Sequence, residues 1–205
     1  MRKRTYIFLG IILLILISFQ YDYAIVEEVS KIKTSSLDSF FMRLTFISSK
    51  IIIFFFLTAL FLLYKKKRQW ILPLWFTLFA SAVISFVLKF FVQRPRPFQQ
   101  GIISIASMLQ QANYSTWNFS FPSFQTMLIF STIPLISKQF PKLKKFWLIL
   151  AVLVGFSRVY FGLHFLSDVL AGGIIGYFIG VWVIRLEGER KLGKKIWEKL
   201  FGNKN

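Results

Sequence analysis

Ser157-Arg158-Val159-Tyr160-Phe161-Gly162-Leu163-His164-Phe165-Leu166-Ser167-Asp168 sets an arginine, the chain's one histidine and an aspartate between two long apolar stretches. Ionisable groups are costly beside hydrocarbon, so they stand there as functional candidates by default. If His164 opens a helix, Asp168 lies one turn above it on the same face. A carboxylate so placed can hold one imidazole nitrogen and leave the other free to react, with histidine as the nucleophile. A polar cap on a membrane helix is the other reading that this run alone leaves open.

Composition narrows the class. The 205 residues suffice for one domain, expected as 1–205 with a core at about 44–184. Hydrophobic residues make up 56% of the chain and the mean hydropathy is +0.61, too apolar for an ordinary soluble domain. No cysteine is present, which excludes disulfides and thiolate sites. One histidine and eight carboxylates argue against a catalytic metal, which usually needs three clustered ligands. A net charge of +18 could point to nucleic acid, but the basic residues fall in short blocks between apolar spans, as in membrane proteins.

Six apolar spans can be drawn, at roughly 5–21, 44–64, 70–92, 122–138, 146–162 and 165–184. Lengths near 20 residues match a hydrocarbon layer of about 30 Å. The expected fold is therefore all-α, a polytopic membrane bundle of six transmembrane helices. Basic blocks at Arg2–Arg4, Lys65–Arg68, Lys138–Lys145 and after Arg185 all fall on one side of such a bundle. The positive-inside rule makes that side, with both termini, cytoplasmic. Residues 22–43, the 93–121 loop and the turn before His164 then face outward. The first span resembles a signal peptide, yet no small-residue cleavage site follows it, so a retained helix is expected. The tail 186–205 carries Leu192, Ile196, Trp197 and Leu200 among lysines, as an amphipathic helix on the cytoplasmic leaflet would.

Three polar clusters share the outer side. Lys89 closes the third span and is followed by Arg94-Pro95-Arg96-Pro97, where the prolines stop the helix. Pro122-Ser123-Phe124-Gln125 opens the fourth span as a helix N-terminus, a natural anion site. Arg158 and His164 complete the set. Cations gathered in a low dielectric repel one another unless an anion joins them. Phosphate is the natural guest, since guanidinium forks match its oxygens.

These residues resemble the type 2 phosphatidic acid phosphatase family, which is related to vanadium haloperoxidases. The family's motifs are K-x6-R-P, P-S-G-H and S-R-x5-H-x3-D. The first is complete from Lys89 to Arg96-Pro97, and the third from Ser157-Arg158 through His164 to Asp168. The resemblance covers about residues 44–184. It implies a helical membrane fold and no metal or other cofactor. It further implies that Lys89, Arg96 and Arg158 hold the phosphate oxygens, with Ser123 adding a hydroxyl and Phe124 its backbone N–H. His164 would attack phosphorus and form a phosphohistidine, with Asp168 orienting it. Arg94 lies outside the motif and is treated as an accessory charge.

The second motif departs from the pattern. Phe124 stands for the glycine and Gln125 for the histidine that acts as general acid in the family. Glutamine can donate a hydrogen bond but cannot deliver a proton. The leading expectation is a multi-pass cell-membrane lipid phosphatase or diphosphatase working at the outer face. Its substrate would be a lipid phosphate or diphosphate, among them polyprenyl diphosphate. Its other partners would be membrane lipids, with no nucleic acid and no required oligomer. The alternative is a degenerate member that binds lipid phosphate without turnover. Transport lacks the symmetric broken helices that would support it.

Overall fold

The computed structural model describes residues 2–102 and 119–201. Most of the predicted outer loop, 103–118, and the last four residues of the basic tail lie outside the described residues. Among the described residues the fold is all-helical. These residues form eight α-helices, in order: α1 Arg2–Lys31, α2 Ser35–Ile47, α3 Lys50–Leu63, α4 Ile71–Val92, α5 Phe124–Gln139, α6 Lys144–Tyr160, α7 Leu166–Arg190 and α8 Leu192–Phe201. Short 3-10 turns at Lys65–Trp70, Pro97–Gln100 and Pro141–Leu143 join them.

Local chemistry sets several of these boundaries. Thr34 accepts the Leu37 N–H at 3.3 Å and starts α2. Ser49 accepts the Ile52 N–H at 3.4 Å and starts α3, so the expected straight span 44–64 is in fact two helices bent by 57°. Two serines in succession, Ser48 closing α2 and Ser49 capping the α3 that follows it, supply the break. α4 stops at Gln93, which takes the left-handed conformation (φ 47°) just before Arg94-Pro95. The first helix is also longer than the expected 5–21, running on to Lys31.

α5 and α7 form the centre. Asp168, Gly172, Gly176 and Gly180 recur every four residues and so share one face of α7. A Cβ on Gly172 would stand 2.6 Å from the Ser123 carbonyl oxygen. One on Gly176 would strike the Met127 carbonyl, and one on Gly180 the Ser131 carbonyl. The bare ridge lets the two backbones touch, which is how membrane helices associate without a hydrophobic drive. The ridge thus packs within the chain. The main apolar cluster, including Leu57, Phe61, Leu74, Ile129, Ile136, Trp147 and Tyr160, fills the space among α2 to α6.

Among the described residues two segments are long and apolar enough to cross a membrane, Lys65–Gln100 and Leu166–Arg190, and the bent pair α2–α3 makes a third if counted as one span. α5 and α6, at 16 and 17 residues, are short for a full crossing. α8 is helical as expected, but it also packs inward. A Cβ on its Gly193 would meet Pro73, and Trp197 joins the edge of the main cluster.

Candidate active site

α6 ends at Tyr160, and Gly162 turns the chain with φ 64°, a backbone state open to glycine. The turn brings both the Leu163 and His164 N–H groups onto the Arg158 carbonyl, at 2.9 and 3.2 Å. His164 is thereby fixed between α6 and α7, and it is buried. Its Nδ1 lies 2.7 Å from the Ser120 carbonyl oxygen. A carbonyl only accepts, so Nδ1 carries the proton and Nε2 presents a lone pair. That lone pair faces Nη1 of Arg96 at 3.2 Å. Arg96 also donates to the Leu163 carbonyl at 2.6 Å. Burial, followed by the charges of Arg96, Lys89 and Arg158, pushes the His164 pKa well below the ordinary histidine value of 6.5. The neutral ring is the nucleophilic form.

Asp168 sits behind this ring, but it is not the direct partner of Nδ1. Its Oδ2 accepts the Phe165 N–H at 2.8 Å and stands 3.7 Å from His164 Nδ1, beyond a hydrogen bond. The Ser120 carbonyl takes the place that the expectation gave to the carboxylate. Oδ1 of Asp168 instead pairs with Arg94 at 2.9 Å. Arg94 therefore turns away from the cation cluster, and its other arm reaches Asp22 of α1 at 2.8 Å. Asp22 is a buried carboxylate that the sequence reading did not select. Its one visible signal was position, an acid directly after the first apolar span.

The N-terminus of α5 is docked onto the start of α7, where the Ser123 N–H donates to the Asp168 carbonyl at 3.0 Å. The Ser123 hydroxyl meets that of Thr126 at 2.9 Å rather than capping the helix. Both departures from the second motif lean on the α2–α3 corner. The Phe124 ring lies under Lys50, whose Nζ is 5.3 Å from the ring centre. Gln125 Nε2 donates to the carbonyl and the hydroxyl of Ser48 at 2.7 and 2.8 Å. Its Oε1 accepts from Arg158 Nη1 at 2.9 Å. Arg158 donates further to Ser157 and Thr45. Lys89 donates to the Phe119 carbonyl and lies near enough to Arg96, Asp168 and Lys50 to feel their charges.

The structure thus brings Lys89, Arg96, Arg158 and His164 into one electrostatic cluster at the N-terminus of α5, from segments up to 75 residues apart in the chain. Thr45, Ser48, Ser120 and Lys50 join it without any motif signal, because their roles come from tertiary contact. A model of the PAP2 superfamily matches residues 70–192. The chain belongs to that superfamily. Within it, the chain is 29% identical over 146 residues to an undecaprenyl-diphosphatase of Sulfolobus acidocaldarius, covering 70% of this chain and 67% of that protein. It is 35% identical over 104 residues to phosphatidylglycerophosphatase B of Bacillus subtilis, covering 45% of this chain and 46% of that protein. In fold it resembles the crystal structure of a transmembrane PAP2-type phosphatidylglycerolphosphate phosphatase from Bacillus subtilis, with a TM-score of 0.72 and 24% identity over 94% of this chain and 99% of that one. The PAP2 relatives and the apolar helices make this a membrane protein.

Proposed function

We propose that this chain is a membrane lipid phosphatase that hydrolyses a lipid diphosphate at the outer membrane face through a phosphohistidine on His164. The observation that carries the reading is the ring itself. Nδ1 is held by a carbonyl, and Nε2 points its lone pair at Arg96 among cations suited to phosphate. Nε2 attacks phosphorus, the N–P bond forms, and the P–O bond to the lipid side breaks with its electron pair leaving on oxygen. Water then attacks the phosphohistidine, the N–P bond breaks with its electron pair returning to Nε2, the neutral imidazole leaves, and both water protons end on inorganic phosphate. Lys89, Arg96 and Arg158 balance charge on the phosphoryl oxygens throughout.

Gln125 selects among substrates. A lipid alcohol leaves as a strongly basic alkoxide unless it is protonated, and Gln125 has no proton to transfer. A lipid phosphate leaving from a diphosphate is a far weaker base and departs as an anion. Lys50, exposed beside Phe124 and close to Lys89, supplies positive charge on that side. Polyprenyl diphosphate is therefore the proposed substrate over phosphatidate-like monoesters. All six expected spans are taken to cross, with α5 and α6 shortened beside a wet pocket and both termini cytoplasmic.

One observation favours a second reading. Every polar atom of the Gln125 side chain is engaged, through Ser48 and Arg158, as in a site closed for binding without turnover. Phosphate release from purified protein separates the two. Farnesyl diphosphate hydrolysed faster than phosphatidate supports the enzyme. Lipid phosphate bound with neither hydrolysed supports the binding protein.

A further inference from the structure

Asp22 is a carboxylate with no exposed surface on a helix that lies outside the residues matched by the superfamily model. A buried charge is costly unless it is paired and hydrogen-bonded. Ser167 and Arg94 hold Asp22. Oδ1 accepts the Ser167 N–H at 3.0 Å, and Oδ2 accepts both the Ser167 hydroxyl and Arg94 Nη2, the latter at 2.8 Å. Arg94 Nη1 meanwhile donates to Ser167 Oγ at 2.7 Å and to Asp168 Oδ1 at 2.9 Å. The guanidinium is held between the rings of Phe165 and Phe19, at 4.0 and 4.8 Å from their centres. One planar fork is thus divided between two carboxylates.

That division has a geometric consequence. A guanidinium left with one carboxylate is frequently bidentate, taking it through two parallel N–H bonds. Asp22 occupies one arm, so Arg94 reaches only Oδ1 of Asp168. Oδ2 stays with the Phe165 N–H, 3.7 Å from the His164 ring. We propose that Asp22 is a positioning residue of the active site, holding one arm of Arg94 so that Asp168 keeps a carboxylate oxygen facing His164. The rival account makes Asp22 a simple anchor of α1 on Ser167.

The kinetic readout of this idea rests on the proposed phosphatase reading, and a spectroscopic readout does not. The chain has one histidine, so histidine labelled with 15N gives one pair of ring resonances in detergent micelles. In Asp22→Asn the side chain loses its charge and can no longer accept at both positions, so Arg94 closes on Asp168 and the His164 ring signals move. Phosphate release from farnesyl diphosphate is expected to fall in kcat by about 10- to 100-fold, as for an ångström-scale misplacement, with KM changed less than about threefold. In an Arg94→Gln background the same substitution adds less than about twofold, because the residue through which it acts is gone. Unmoved ring signals in folded Asp22→Asn, or losses that multiply in the double variant, overturn the proposal in favour of the anchor. If Asp22→Asn does not fold, Arg94→Lys decides. A lysine ammonium is a point charge without the planar fork, so it cannot reproduce the paired geometry of Arg94 at both carboxylates. The same ring shift is required there, and its absence overturns the proposal. Wild-type protein that releases no phosphate refutes the phosphatase reading alone, since the ring signals still report on Asp22.

Discussion

In the proposed reaction His164 is the residue on which the chemistry turns, and its surroundings set a sign for pH. Protonation would place a charge on a buried ring already faced by Arg96, Lys89 and Arg158, so the neutral form is favoured. The reactive form therefore persists as pH falls through 6.5. The profile of kcat/KM reports groups of the free enzyme. Its acid limb is expected below 6.5, and a midpoint at or above 6.5 would contradict the account. Gln125 gives a second expectation at this scale. General acids contribute about 10²–10⁴-fold, mainly where the leaving group is basic. Gln125→His should raise phosphatidate hydrolysis at least about tenfold while changing farnesyl diphosphate hydrolysis less. Ser48 and Arg158 lose a partner in that variant, so paired rates on the two substrates, rather than one rate, are the measure. Equal gains on both would remove leaving-group chemistry as the reason.

The α5–α7 contact is the element that fixes the site, because Ser123 bonds to Asp168 where the two helices begin. Gly176 faces the Met127 carbonyl with no room for a Cβ. Overpacking a core of this kind typically costs about 1–3 kcal/mol and more against backbone. Gly176→Leu should yield aggregated or unfolded protein, read by size-exclusion chromatography and thermal melting in detergent. A folded, active variant that only changes its oligomeric state would show the ridge to be an intermolecular surface. This ridge was legible in the sequence, since a four-residue glycine period can mean little else than close helix packing. Lys89, Arg96, Arg158 and His164 were legible too, because membrane-depth charges are rare enough to be noticed singly. The break at Ser48–Ser49 was not. Apolar periodicity runs through it, and two serines inside an apolar stretch carry no direction. Nor was the division of Arg94 between Asp22 and Asp168, which exists only once α1 lies against α7. Asp168 itself was read from helical spacing as the partner of His164, and spacing cannot anticipate that the Ser120 carbonyl arrives first.

Across the whole molecule, charge predicts how the bundle sits. Lys65–Arg68 and the basic residues of 138–145 and 185–199 fall at one end of a six-span layout, and Glu28 and Lys31 at the other. The chain has no cysteine, so single introduced cysteines report cleanly. Lys31→Cys, on the exposed end of α1, should react with an impermeant maleimide on intact cells, and Lys66→Cys only after lysis. The reverse pattern would invert the molecule and put His164 on the cytoplasmic side. The central claim concerns a covalent bond, and it has a direct test. Protein mixed with farnesyl diphosphate labelled in its terminal phosphate is quenched in alkali within one turnover. The account predicts label on the protein that is stable to base, labile to acid and absent from His164→Ala. Phosphate release that continues in His164→Ala would contradict it.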